Sequence, residues 1–188
     1  MSKVTRSYLI QHRRRRQGKT NYKLRLALVK SGKSRAVIRR SASNMRVQFV
    51  NFNEKGDLIV SNATTMELKK YGWKAGNGNI PAAYLTGLLA GTRAKNSKIE
   101  EAILDMGTQI NTKGSRIYAA LAGIVASGVN IPHSKEVLPS EERISGKHIS
   151  EWSAKSKGFT KYGIKPEEFQ SHFEEVKKMI IESKGAKK

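Results

Sequence analysis

The sequence predicts an α/β layered domain with a basic arm before it and a helical extension after it. Three observations carry this. Three short runs rich in β-branched and aromatic residues, separated by turn residues, lie between positions 35 and 60. Beyond them the apolar period lengthens, and two small-sided helical segments alternate with two short apolar runs, as in a layered α/β unit. Ahead of them, 15 of the chain's 36 Lys and Arg precede the first acidic residue, Glu54. The chain therefore divides into a basic arm and short helix (1–33), a core domain (34–134) and a C-terminal extension with a terminal helix (135–188).

Residues 1–19 offer few apolar groups and no core of their own; fully extended they would reach about 60 Å. Thr20 is placed to cap a short helix carrying Tyr22, Leu24, Leu26, Ala27, Leu28 and Val29, which Ser31-Gly32 would end. The first strand holds Ala36, Val37 and Ile38 between Arg35 and Arg39-Arg40, and a turn at 41–44 follows. A second strand spans 47–52, a second turn 53–57 and a third strand 58–60, which makes an antiparallel meander. A short helix at 66–71 and a Gly/Asn-rich loop at 72–79 lead into a long helix opened by Pro81, where the missing N–H costs nothing. Ala83, Gly87, Ala90, Gly91 and Ala94 form its small side. Ala102, Ile103 and Leu104 predict a fourth strand ending at Asp105. Ser115 caps a second small-sided helix, and a fifth strand is expected at 129–131. Residues 135–165 read as loop plus a short helix around Trp152. The last helix starts at Pro166, with Glu167 and Glu168 at its positive end, Lys177, Lys178 and Lys184 toward its negative end, and an apolar stripe of Phe169, Phe173, Val176 and Ile180.

Composition narrows the function. With no cysteine, disulfides and cysteine zinc sites are excluded, and a reduced cytoplasmic setting is natural. Met1 leads into polar, basic sequence without the apolar stretch of a secretory signal. The longest weakly polar run, near 80–91, is too short to span a bilayer, and so few apolar groups precede residue 20 that no membrane partner is expected. A segment without carboxylates cannot neutralise itself, so the arm calls for an external polyanion. Nucleic acid fits, because Lys and Arg displace condensed counterions from its phosphates.

Arg13, Arg14, Arg15 and Arg16 alone would also suit a solvated tail or a targeting signal. Lys19, Lys23, Arg25, Lys33, Arg35, Arg39 and Arg40 carry the charge into predicted helix and strand, which favours an RNA or DNA surface. Gly18-Lys19-Thr20 is not a nucleotide-binding loop, since the glycine required five residues earlier is Arg13. Gly76-Asn77-Gly78-Asn79-Ile80-Pro81 reads first as a capping turn and second as a phosphate contact, with Trp73 and Lys74 beside it; Gly114-Ser115-Arg116 reads the same way. Tyr22 and Trp73 are candidates to stack on unpaired bases, and Tyr22 is equally a candidate core residue. His12, His133, His148 and His172 lack metal-ligand spacing, so no metal, cofactor or small-molecule substrate is expected. The strand order resembles ribonuclease-H-like folds, some of which cleave nucleic acid with two metals, but the first strand carries no acid and Asp105 would stand almost alone. The reading is therefore a binding protein and not an enzyme.

The stretch Arg13-Arg14-Arg15-Arg16-Gln17-Gly18-Lys19-Thr20-Asn21-Tyr22, with Lys30-Ser31-Gly32-Lys33, resembles the N-terminal signature of the large-subunit ribosomal protein eighteen family, in its archaeal form. Lys70-Tyr71-Gly72-Trp73-Lys74, Pro81-Ala82-Ala83-Tyr84-Leu85-Thr86-Gly87-Leu88-Leu89-Ala90-Gly91, Glu101-Ala102-Ile103-Leu104-Asp105, Gly114-Ser115-Arg116 and Ile131-Pro132-His133 extend the resemblance over about residues 5–135. It implies a three-layer α/β domain of ribonuclease-H-like type. It also implies binding to 5S rRNA at the central protuberance, contacts to 23S rRNA and to neighbouring large-subunit proteins, and a cytoplasmic location in the ribosome. The alternative is a general nucleic-acid packaging protein without 5S selectivity.

Overall fold

The computed structural model describes residues 10–155 and 165–183. Most of the arm ahead of the arginine run, and Lys184, lie outside the described residues. The core is a four-stranded mixed sheet of order β3-β2-β1-β4, built from β1 (Ser34–Arg40), β2 (Met45–Asn51), β3 (Leu58–Thr64) and β4 (Ala102–Asp105). The first three form the expected antiparallel meander, and β4 lies parallel to β1. Alternation along β1 sorts its residues by face. Ala36 and Ile38 are fully buried on the helical side, while Arg35, Val37 and Arg39 occupy the other side.

Two helices cover the inner face: α3 (Ile80–Asn96) and α4 (Arg116–Ala126). Asn79 caps α3 by accepting from the Ala82 N–H at 2.8 Å, and Pro81 sits in its first turn. The small residues let the two backbones touch. A Cβ on Gly87 would lie 2.0 Å from the Ala120 carbonyl oxygen, and one on Gly123 would lie 2.1 Å from that of Tyr84. Both positions therefore admit only glycine at the present spacing. Ser115 does occupy the cap position of α4, but its hydroxyl makes no capping bond and is buried without a partner.

The fifth strand expected at 129–131 is absent as a strand. Only a single parallel bridge, Glu101 to Asn130, extends the sheet there, although Val129 and Ile131 are both buried. Three residues before Pro132 are too few to sustain a ladder.

The extension is more helical than the sequence suggested. Lys135–Val137 forms a short 3-10 turn, followed by α5 (Glu141–Ser145) and α6 (Lys147–Lys155). α7 (Phe169–Glu182) follows a 3-10 turn at Pro166–Glu168 and buries the predicted stripe of Phe169, Phe173, Val176 and Ile180 against α3, in the same core as the sheet. Trp152 remains exposed on α6, and Met179 and Ile181 on α7.

His172 fastens α7 to the Gly-rich loop. Its Nε2 accepts the Lys74 backbone N–H at 3.3 Å, and its ring stacks on Trp73 with centroids 5.4 Å apart. Burial holds its pKa below the ordinary 6.5; Glu175 opposes that shift and Lys74 adds to it. Burial also lowers His148, with Arg143 assisting. A histidine that resists protonation when folded contributes stability that is complete above the unfolded value and is lost as pH falls through the folded one. Stability should therefore decline on acidification below about 6.5. The decline should be shallower in His172→Gln, as read from urea midpoints across pH 5–8.

Candidate nucleic-acid interface

The basic N-terminal segment is not one uniform charged surface. Arg13–Arg16 forms a single helical turn, α1, with every residue exposed. Gln17 and Gly18 close the turn, Gly18 at a φ of 64°. Arg14 Nε donates to Thr20 Oγ1 at 2.8 Å and folds the run back on the next helix. That helix, α2 (Tyr22–Lys30), is capped by Asn21, one residue later than expected, through a 3.1 Å bond from the Leu24 N–H. Thr20 serves Arg14 instead. Despite its apolar residues α2 buries none of them fully, and Leu24 and Leu26 are exposed. Tyr22 is half-buried, its ring 5.2 Å from that of His12.

α2 lies over the outer face of the sheet and is tied to it by charge. Arg25 Nη2 donates to Asp57 Oδ2 at 2.9 Å, and Arg35 Nη2 donates to the same oxygen at 2.7 Å. Arg35 Nη1 reaches Asp105 Oδ2 at 3.1 Å, and Arg39 Nη2 reaches Asp105 Oδ1 at 3.0 Å. Three arginines thus interleave with two aspartates contributed by a turn and by β4. Arg39 also donates to the carbonyls of Ile38 and Asp105, while the Gly107 N–H donates to Asp105 Oδ1.

This network corrects two expectations. Arg35 is only 4% exposed and belongs to the core electrostatics, so it is not an open RNA contact. Asp105 does not stand alone, and its carboxylate is spent on two guanidinium groups, not on a metal. Among the described residues there is no group of three or more His, Asp or Glu that could hold a metal ion.

Trp73 is a third correction. It is 2% exposed, meets Phe169 edge-on at 5.8 Å and donates from Nε1 to the Gly76 carbonyl at 3.3 Å. The partners that cover it sit about a hundred positions later, where local sequence carries no sign of them. No base can stack on it without unseating α7. Lys74 next to it stays exposed. Arg116 is occupied as a clamp: its Nη1 donates to the carbonyls of Gly78 at 2.9 Å and Ala42 at 3.2 Å, which locks the Gly-rich loop to the β1–β2 turn.

What remains open is a coherent set. Arg13, Arg14, Arg15, Arg16, Lys19, Lys23, Arg40 and Lys74 are exposed, and the described residues offer them no carboxylate partner. Lys33 is exposed but paired with Glu101, and Arg25 and Arg39 are half-exposed within the network. Arg46 joins this set, although nothing in its local sequence singled it out. It is exposed directly across from Arg39 in the antiparallel ladder, and a hairpin centred on residues 42 and 43 predicts that pairing. Like charges placed opposite each other destabilise a sheet unless an anion joins them. Phe52, expected only as a strand residue, is an exposed aromatic that lines a groove with Lys33. No helix among the described residues is long and apolar enough to cross a membrane.

A sequence model of the family described as "Ribosomal large subunit proteins 60S L5, and 50S L18" matches residues 6–101. The chain is 52% identical over 148 residues to the large ribosomal subunit protein uL18 of Korarchaeum cryptofilum, covering 79% of this chain and 76% of that one. It is 46% identical over 189 residues to the uL18 of Aeropyrum pernix, covering 94% and 88%. On both grounds the chain belongs to the family of ribosomal large subunit proteins 60S L5 and 50S L18.

Proposed function

We propose that the protein is a structural, non-enzymatic component of the large ribosomal subunit that binds 5S rRNA and helps attach it to 23S rRNA at the central protuberance. The observation that carries the RNA reading is the run of exposed arginines and lysines, from Arg13 to Lys23, that no carboxylate of the described chain neutralises. Family membership supplies the ribosomal setting, and with it a cytoplasmic location. In this reading residues 1–33 act as the RNA-gripping segment, 34–134 as the rigid platform, and 135–188 as an extension that meets neighbouring large-subunit proteins. The exposed Trp152, Met179 and Ile181 suit that last role. The meander followed by a parallel fourth strand supports a ribonuclease-H-like architecture used without its chemistry.

Arg13–Arg16, Lys19, Lys23, Arg40, Arg46 and Lys74 act as phosphate contacts, and Tyr22 and Phe52 as the aromatic groups within reach of unpaired bases. Arg25 and Arg39 present their free guanidinium edges from the ion network. Replacing Arg13–Arg16 with alanine should leave the fold intact, because none of the four is buried. It should reduce the salt slope of RNA binding by about 3–4 units, at ~0.9 for each phosphate no longer neutralised. An unchanged slope in filter-binding titrations across salt would mean that the run stays solvated in the complex.

A further inference from the structure

Between α2 and the outer face of the sheet lies a cavity of about 240 Å³. Five cations line it: Arg14, Lys19, Arg25, Arg35 and Arg39. The carboxylates lining it are only two, Asp57 and Asp105. Both are already committed to the arginine network, so the lining carries a surplus of positive charge that no carboxylate among the described residues meets. A second observation points the same way. Arg25 and Arg39, each with a side chain 40% exposed, keep guanidinium surface open where they line the cavity. Arg14 reaches only the Thr20 hydroxyl, and Lys19 has no side-chain partner among the described residues. The N-terminus of the nine-residue α2 opens at the rim through Thr20 and Asn21, adding the positive end of a helix dipole.

We infer that this cavity is a phosphate site, filled by one backbone phosphate of the bound RNA inserted between α2 and the sheet. The identity of the phosphate's source rests on the RNA-binding reading above; the site itself rests on the cavity and the surplus of cations that line it. Guanidinium groups offer paired donors that match phosphate oxygens, and here Arg25 and Arg39 are held at fixed positions by Asp57 and Asp105. Those two aspartates are positioning residues in this account. The phosphate also explains how α2 is seated, since that helix has no fully buried side chain to hold it. An anion bridging Arg14 and Arg25 to Arg39 would join helix and sheet.

The test is a phosphorus NMR titration of inorganic phosphate with the full chain, at ionic strength held constant with chloride. The expected result is saturable binding of one phosphate per chain, weakened at least tenfold in the double variant Arg14→Gln/Lys19→Gln. The charge-matched double variant Lys135→Gln/Lys178→Gln, on exposed positions away from the cavity, should bind as the parent does. Saturating 5S rRNA should displace the phosphate. No saturable binding, or equal weakening in both double variants, would overturn the site in favour of diffuse charge attraction. Phosphate that stays bound in the RNA complex would overturn the RNA phosphate as its occupant. A chain that binds phosphate but no RNA would overturn that occupant and the proposed function together, leaving the anion site standing.

Discussion

Asp105→Ala should destabilise the folded chain by about 3–5 kcal/mol, the cost typical of breaking a buried ion pair by removing one partner. The side chain is 7% exposed at the end of β4 and accepts from Arg35, Arg39 and the Gly107 N–H. Removing it strands Arg35, which is equally buried and keeps only Asp57, itself shared with Arg25. The loss exceeds any gain from relieving desolvation, because Arg35 remains charged. Urea unfolding of the variant would read the effect directly. Asp105→Asn should recover part of it, since the amide oxygen can still accept from one guanidinium. Loss of less than about 1 kcal/mol, as for an exposed pair, would mean that the network is solvated in solution.

Phe173→Ala should cost about 3–5 kcal/mol, the range for deleting a large aromatic side chain from a packed core. Phe173 is 1% exposed, stands in the middle of the α7 stripe and meets Tyr84 of α3 with ring centroids 5.8 Å apart. Its loss should be felt unevenly. The sheet, α3 and α4 pack on one another without it, whereas α7 holds to the domain through that stripe, His172 and little else. Limited proteolysis should therefore cut the variant within residues 165–183 before the core domain opens, and Trp73 fluorescence should shift as the ring becomes wet. Simultaneous loss of extension and core would show that α7 is an obligatory part of the domain nucleus.

How far the sequence foretold this structure depended on how local the determining contacts are. The first strand, the hairpin turn at 41–44, the Asn79-Ile80-Pro81 helix start and the Phe169-Phe173-Val176-Ile180 stripe are each decided within a few residues, and all were readable. Arg35 and Trp73 were misread because their environments come from far along the chain. Arg35 looked like one more cation in an acid-free segment, and its neutralising acids arrive from positions 57 and 105. Trp73 sat beside lysines in a glycine-rich loop and looked like a stacking platform until α7 returned to cover it. The strand expected at 129–131 failed for a different reason. Val129 and Ile131 are buried as β-branched residues should be, but Pro132 removes the donor that a ladder would need next. Charge sign and density were plain in the sequence; which charges stay free was a tertiary question.

Charge alone would let this surface bind any polyanion, so selection of 5S rRNA requires recognition beyond charge. The most direct test is competition between 5S rRNA, tRNA and duplex DNA of similar length for the full chain at about 0.15 M salt, where the Debye length is about 8 Å. The account predicts a preference for 5S rRNA of about a hundredfold, or about 2.7 kcal/mol. Equal affinity for all three would contradict it and leave a general nucleic-acid packaging protein in its place.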